Sequence, residues 1–334
     1  MKQLLTISLI SSVLFISSRI DAQQLPRFSQ YYFNEYLVNP AMAGYDGRTI
    51  VNVTARKQWV GFSDNTPQTA LVRTQTRILK KPYNIHNGRS GQKVLRKKTS
   101  GRVGLGAILY DDQNGAIHRT GAQFTYAYHI FIYNSQLSFG LTGSIFQYRI
   151  SKEDAQLKNP EIDPLNGVIG KSTLVPDAGF GINYMKKNWH IGLSISQLFQ
   201  SNLKIGHYAE FQTTDDLRLR RHYFILADYL FQFPSQPKWE IEPSTIINLN
   251  ERLQFQGDLT LKAYYQRKYW FGISARTTSD LIVLGGLRYK NYYFGYSFDY
   301  GFNGISRYTH GSHEITISAK FGDTARRYRW LERY

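Results

Sequence analysis

The sequence predicts an all-β protein: a transmembrane up-and-down antiparallel β-barrel of about fourteen strands, preceded by a short N-terminal helical or plug segment. Three observations carry this expectation. From Tyr292 to Phe302 every even position is aromatic (Tyr292, Phe294, Tyr296, Phe298, Tyr300, Phe302), and the odd positions include Gly295, Ser297, Asp299 and Gly301. Side chains alternate across a strand, so this one has an apolar face and a polar face. A run of aromatics on one side fits a lipid-facing stripe with rings at the membrane interfaces. The second observation is that such alternating segments recur along the chain. The third is that the connections between them alternate in length.

The chain opens on Lys2 and a mostly apolar stretch from Leu4 to Ile16, followed by residues that lead to a cut after Ala22. Residues 1–22 read as a secretory signal peptide, although Ile20 fits the position before the cut less well than alanine would. No later run of about eighteen apolar residues marks a transmembrane helix. The mean hydropathy of −0.40 looks soluble. A barrel is apolar on only half of each strand, so this value does not exclude one. With no cysteine in the chain, disulfides and thiolate metal sites are excluded.

The net charge of +17 falls to +16 once Lys2, Arg19 and Asp21 leave with the signal. An exported chain is not expected to meet nucleic acid, so the anionic partners on offer are envelope glycolipid, peptidoglycan and acidic proteins. Part of the excess lies in Lys80, Lys81, Arg89, Lys93, Arg96, Lys97, Lys98 and Arg102, a run without an acidic residue. It reads as a solvated loop or as a docking surface.

Four regions follow: the signal at 1–22, a plug segment at 23–47, a barrel at 48–322 with a basic periplasmic insertion at 79–100, and a C-terminal extension at 323–334. The strands are expected at 48–57, 67–78, 101–111, 117–132, 136–150, 174–186, 189–199, 219–233, 238–248, 252–265, 268–277, 281–290, 291–302 and 312–321. In the second, Ala70, Val72 and Ile78 oppose Arg73, Gln75 and Arg77. In the fourth, Phe124, Tyr126, Tyr128 and Ile130 oppose Gln123, Thr125 and His129. In the tenth, Leu259 and Leu261 face lipid, whereas Asp258, Thr260 and Lys262 face the lumen. Connections after strands 4, 6, 8, 10 and 12 are short, and the longest follow strands 5 and 7. That parity places both termini in the periplasm. Pro176 near a strand start is tolerable. Pro243 inside the ninth strand implies a bulge or a later start.

No catalytic constellation is present. The histidines, among them His118, His129, His190, His207, His222, His310 and His313, are scattered, without a metalloprotease, nucleophile-elbow or phosphate-loop motif. No metal, cofactor or enzymatic activity is expected. The charges Arg56, Arg73, Arg77, Asp228, Asp258, Lys262, Arg288 and Asp299 should point into the lumen. They either fill it with ion pairs or form a charged constriction for a solute.

The segment before the first strand is rich in aromatics, and its Phe28, Tyr31, Tyr32 and Tyr36 could share one face of a short helix stopped by Asn39-Pro40. Such a segment avoids water by lodging at the periplasmic mouth of the barrel, where it would seal the lumen. Three motifs stand out: Phe28-Ser29-Gln30-Tyr31, ending at Asn34; Asn39-Pro40, ending at Gly44; and Arg56 to Phe62, containing Gln58 and Trp59. Together with His313–Ser318 they closely resemble the PorP/SprF family of type IX secretion system outer-membrane proteins. The resemblance spans about Phe28 to Phe321, and the insertion and the tail depart from it.

The resemblance implies a non-enzymatic barrel in the outer membrane of a Gram-negative bacterium. Its role would be to assist export or cell-surface attachment of proteins with type IX sorting domains. Implied partners are outer-membrane lipid, a secreted surface protein or its C-terminal sorting domain, periplasmic ring components and, for some members, a gliding adhesin. The alternative is an outer-membrane channel or transporter for small or hydrophobic solutes.

Overall fold

The computed structural model describes residues 26–63, 65–78, 84–86, 93–95, 101–151, 170–200, 219–302 and 304–322. The signal peptide and the C-terminal extension expected from the sequence lie outside these residues. So does most of the basic insertion, apart from a small hairpin pairing Asn84–His86 with Lys93–Leu95.

The wall consists of β1 (Thr49–Lys57), β2 (Gln68–Ile78), β3 (Val103–Asn114), β4 (Ile117–Ile132), β5 (Ser135–Ile150), β6 (Ser172–Lys186) and β7 (Trp189–Ser196). It continues with β8 (His222–Tyr229, extended by Phe231–Gln232), β9 (Trp239–Asn250), β10 (Phe255–Tyr265), β11 (Tyr269–Arg276), β12 (Asp280–Tyr289), β13 (Tyr292–Gly301) and β14 (Ser312–Phe321). Each strand pairs antiparallel with its neighbours, and β1 closes the barrel on β14 from Thr49↔Phe321 to Lys57↔His313. The fourteen-stranded barrel is closed, as the alternation predicted.

The connections at Tyr133–Asn134, Lys187–Asn188 and Lys290–Asn291 are tight and share one end of the barrel, called here the turn end. The connections between β5 and β6 and between β7 and β8 leave from the other, the loop end. Strand β3 runs three residues beyond the expected bound because its hairpin closes on Gly115 at φ 59, with Asn114 still paired to Ile117.

Both prolines sit inside strands without a bulge. Pro176 is paired with Ile145 of β5, beyond the β6–β7 ladder, which begins at Phe180. Pro243 keeps its place opposite Leu261 in the β9–β10 ladder. On its other side the β8 ladder stops at Asp228↔Ser244 and resumes at Phe231↔Ile241. The missing proline N–H therefore falls where β8 is interrupted, and the Leu230 N–H bonds Asn188 O instead.

Burial is inverted relative to a soluble core. The outward rows are apolar and exposed, as at Leu109, Phe124, Leu259 and Ile273. The inward rows are polar and buried, as at Asn52, Thr54, Thr316 and Ser318. Rings collect at the turn end, with Trp189 4.9 Å from Tyr229 and Trp239 4.9 Å from Tyr265, forming an interfacial aromatic girdle.

Candidate functional site

What buries the inward polar rows is the N-terminal segment itself. It is three short turns rather than one helix: a 3-10 turn at Tyr31–Phe33, an α-helical turn at Glu35–Val38 and a second 3-10 turn at Pro40–Met42. Asn39 does end the helix, and Pro40 takes the first position of the next turn, where its missing N–H costs nothing. The Asn39 side-chain oxygen accepts from the Ala41 N–H at 3.0 Å, and its amide donates to Ile182 O at 3.0 Å. Asn34 reaches the wall instead of a turn, with Nδ2 3.5 Å from Thr54 Oγ1. Gly44 adopts φ +68, and a Cβ there would lie 2.6 Å from Thr76 O, so the entry into β1 requires glycine.

The plug is not confined to the mouth expected from the sequence. It runs the height of the lumen, from the loop end at Phe28–Gln30 to the turn end at Tyr45. The reason is chemical: partners for it exist at both ends. At the loop end Glu314 accepts the Ser29 N–H at 2.6 Å and the Gln30 N–H at 3.0 Å. Arg56 bridges Asp299 at 2.7 Å and Glu314 at 3.2 Å. Ser29 Oγ donates to Asp299 at 2.6 Å and accepts from Arg56 at 2.7 Å. Arg276 completes the cluster, 2.9 Å from Asp258 and 3.2 Å from Asp299. Burial, reinforced by Arg276, pulls the Arg27 guanidinium beside this cluster down to about 10.

At the turn end Arg73 donates to Phe33 O, and Arg77 donates to Tyr45 O at 2.5 Å. These two arginines therefore hold plug carbonyls; the expectation of ion pairs across the lumen does not describe them. His129 Nε2 lies 3.0 Å from Ala43 O; a carbonyl only accepts, so Nε2 carries the proton and Nδ1 accepts from Ser138 at 2.8 Å. The plug also buries its rings. Tyr32 and Phe33 join Leu230, Tyr264, Trp270, Leu284 and Tyr293 in one cluster. Tyr36, Met42 and Tyr45 join Ile108, Ala127 and Met185 in another. Each such ring gains on the order of 1.5–3 kcal/mol over exposure. Lys262 pairs with Glu242 at 2.6 Å, its ammonium 4.1 Å from the Tyr32 ring. The Tyr31 hydroxyl lies 2.7 Å from that of Ser244, and burial raises the Tyr31 phenol above its ordinary range.

Some predicted residues stand apart. Gln58 and Trp59 lie in the β1–β2 connection outside the lumen, their N–H groups bonded to Pro67 O at 2.8 Å and Ser312 Oγ at 3.3 Å. Arg288 sits at the turn-end rim and donates to Lys290 O at 3.1 Å. Asp228 contacts His190, which had no assigned part, and Glu35 approaches the same pair. Glu314, Arg276, Glu242, Glu35 and His190 were not singled out from the sequence. A signal existed for the first three: each is a charge on the polar face of a strand. A cavity of about 160 Å³ remains at the loop end, lined by Phe28, Tyr31, Leu37, Tyr110, Phe146 and Phe224 with Arg119 and Asp177.

The family described as type IX secretion system membrane protein PorP/SprF matches residues 20–319. The chain belongs to that family. It is thus an outer-membrane β-barrel of a secretion family, and neither family nor fold is that of a known enzyme class. Among curated proteins no relative matches. Of solved structures, Omp33 of Acinetobacter baumannii matches at 8% identity and TM-score 0.44, over 83% of this chain and 99% of that one. A Pseudomonas aeruginosa FadL homologue matches at 10% and 0.43, over 90% and 95%. The P. putida toluene transporter TodX matches at 9% and 0.40, over 85% and 92%.

Proposed function

We propose that this PorP/SprF protein is a non-enzymatic accessory barrel that works closed, assisting export or surface attachment of proteins carrying type IX sorting domains. The observation that supports this is the plug, held by a buried charge cluster at one end and by backbone-directed arginines at the other. A lumen filled in this way offers a binding surface at its loop end rather than a water-filled passage. The partners of this reading are a secreted surface protein, such as a gliding adhesin, or its C-terminal sorting domain on the outside, and ring components on the inside. In this orientation the turn end, where β14 finishes, faces the periplasm.

The test is deletion of Arg27–Asn39, with two independent measurements. Single-channel conductance in a planar bilayer should be near zero for the intact protein and should rise at least about tenfold on deletion, without loss of membrane insertion. Surface display of the cognate secreted protein should be lost. Unchanged conductance removes the plug as a seal, and normal display removes it as a docking element. The cavity of about 160 Å³ and its aromatic lining favour a second reading, transport of a small hydrophobic solute. A saturable, solute-dependent flux through the intact protein would select that reading.

A further inference from the structure

Three side chains from separate parts of the chain converge inside the lumen: Glu35 from the plug, His190 from β7 and Asp228 from β8. His190 and Asp228 are directly opposite in the β7–β8 ladder, so the register of the wall fixes that pair. One oxygen or nitrogen atom from each of the three lies within 4.8 Å of the others. None of the three is more than 8% exposed. His190 Nδ1 touches Asp228 Oδ2 and lies 4.0 Å from Glu35 Oε1.

The other ring nitrogen decides the chemistry. His190 Nε2 is 2.6 Å from Asn183 Oδ1. An amide oxygen only accepts, so Nε2 carries a proton; Nδ1 meets Asp228 by donating a second proton to it, and a metal ion would take that proton's place. Two buried carboxylates and an imidazole converging on one point form a donor set that a proton on Nδ1 or a bound cation can occupy. A ring that presents one nitrogen to a set of donor atoms and donates the other N–H to a carbonyl is oriented as metal-bound histidines are.

We propose that Glu35, His190 and Asp228 form a divalent transition-metal site of zinc type that fastens the plug to the barrel wall. One imidazole and two carboxylates suit zinc, whereas calcium requires about 6–8 oxygens. Zinc bonds of roughly 2.0–2.2 Å place neighbouring donor atoms about 3.3 Å apart, so binding draws Glu35 in from 4.0 Å and opens the direct His190–Asp228 contact as the metal displaces the Nδ1 proton. The fourth position takes water. Glu35 is the ligand that belongs to the plug, so the metal joins two parts of the molecule that otherwise meet through hydrogen bonds and packing. Asn34, its neighbour, lines the loop-end cavity, which gives an ion a way in.

The test uses the full chain, purified in detergent and stripped with a chelator. Titration with Zn2+ by calorimetry should give one ion per chain, and Co2+ should give the visible d–d absorption of a nitrogen–oxygen site. Glu35→Gln and His190→Ala should each weaken binding by at least about tenfold. Zinc should slow protease cleavage of the plug in the parent protein and leave the rate unchanged in Glu35→Gln. Heat-modifiable electrophoretic migration checks that each variant is still a barrel, and Glu35 lies outside the wall, so its loss of binding is not loss of the fold. Absence of saturable binding, or equal affinity in the parent and Glu35→Gln, overturns the site and leaves a hydrogen-bonded His190–Asp228 pair.

Discussion

At the loop end the two flanks of the lumen are built differently. The flank formed by β10, β11, β13, β14 and β1 supplies Asp258, Arg276, Asp299, Glu314 and Arg56, which close on Ser29 and Gln30 of the plug. The flank formed by β2 to β9 presents Leu71, Tyr110, Phe146 and Phe224 and keeps the cavity. The difference lies in what each wall offers the plug backbone. Carboxylates of the first flank accept its N–H groups, and arginines neutralise those carboxylates. The second flank offers rings at the same height, which do not bond backbone amides. At this end the charged latch therefore lies on one side, the other flank adding Ser194 Oγ, which donates to Val38 O at 2.8 Å, and a ligand entering the cavity leaves the charged latch intact.

The sharpest way to break this comparison is to remove one charge from the latch. Arg56→Ala leaves Glu314 and Asp299 buried with one cation fewer, and loss of one partner from such a cluster costs about 3–5 kcal/mol. Glu314→Ala should cost a similar amount, because it also strands two plug N–H groups. Unfolding in detergent measures both. Truncating Gln123, which lines the cavity on the open flank, should change stability by less than about 0.5 kcal/mol. Similar losses on both flanks would mean that the latch is not the main fastening.

The next test contrasts outside, filled flank and open flank. Leu259 is 66% exposed on the lipid face, so Leu259→Arg should destabilise by about 2–4 kcal/mol. A lumen filled with water would accept arginine at the neighbouring Thr260 readily. Here Thr260 is 1% exposed and donates to Ser274 at 2.7 Å, so Thr260→Arg forces an overpacked wall and should cost about 1–3 kcal/mol. Ser144→Arg, also lumen-facing but on the cavity, should stay within about 0.5 kcal/mol. If Thr260→Arg proves as mild as Ser144→Arg, the flanks do not differ in packing.

The wall was legible in the sequence because period-two alternation is local. The facing of Leu259, Tyr296 and Arg73 follows from their neighbours two residues away, and the aromatic row of β13 emerges as written. What was not legible depends on pairs far apart in the chain. Ser29 meets Glu314, and Glu35 meets His190 and Asp228, through closure of the barrel rather than through any spacing. Pro243 misled because the cost of a proline depends on whether the neighbouring ladder is continuous, and β8 breaks beside it. The depth of the plug was hidden for a related reason: it depends on inward glycines, such as Gly106 against Tyr36 and Gly140 against Pro40, and which segment fills the space beside a glycine is set by closure of the barrel.

The two glycines of β5 give the smallest and most local test. Gly140 faces inward, and a Cβ added there would lie 2.2 Å from the carbonyl carbon of Pro40. The obstruction is backbone, so no side-chain rotation relieves it, and Gly140→Ala should cost about 1–3 kcal/mol or displace the second 3-10 turn of the plug. Gly143, three residues on, faces out and has nothing within 4 Å of an added Cβ. Gly143→Ala should be neutral or stabilise by up to about 1 kcal/mol, since alanine loses less chain entropy in a strand. The pair sharpens the comparison of flanks, because β5 belongs to the open side. If the plug is clamped there below the cavity, Gly140→Ala should lower the unfolding midpoint and raise conductance together. A variant that keeps both parental values would show that the close approach of Gly140 to Pro40 does not clamp the plug.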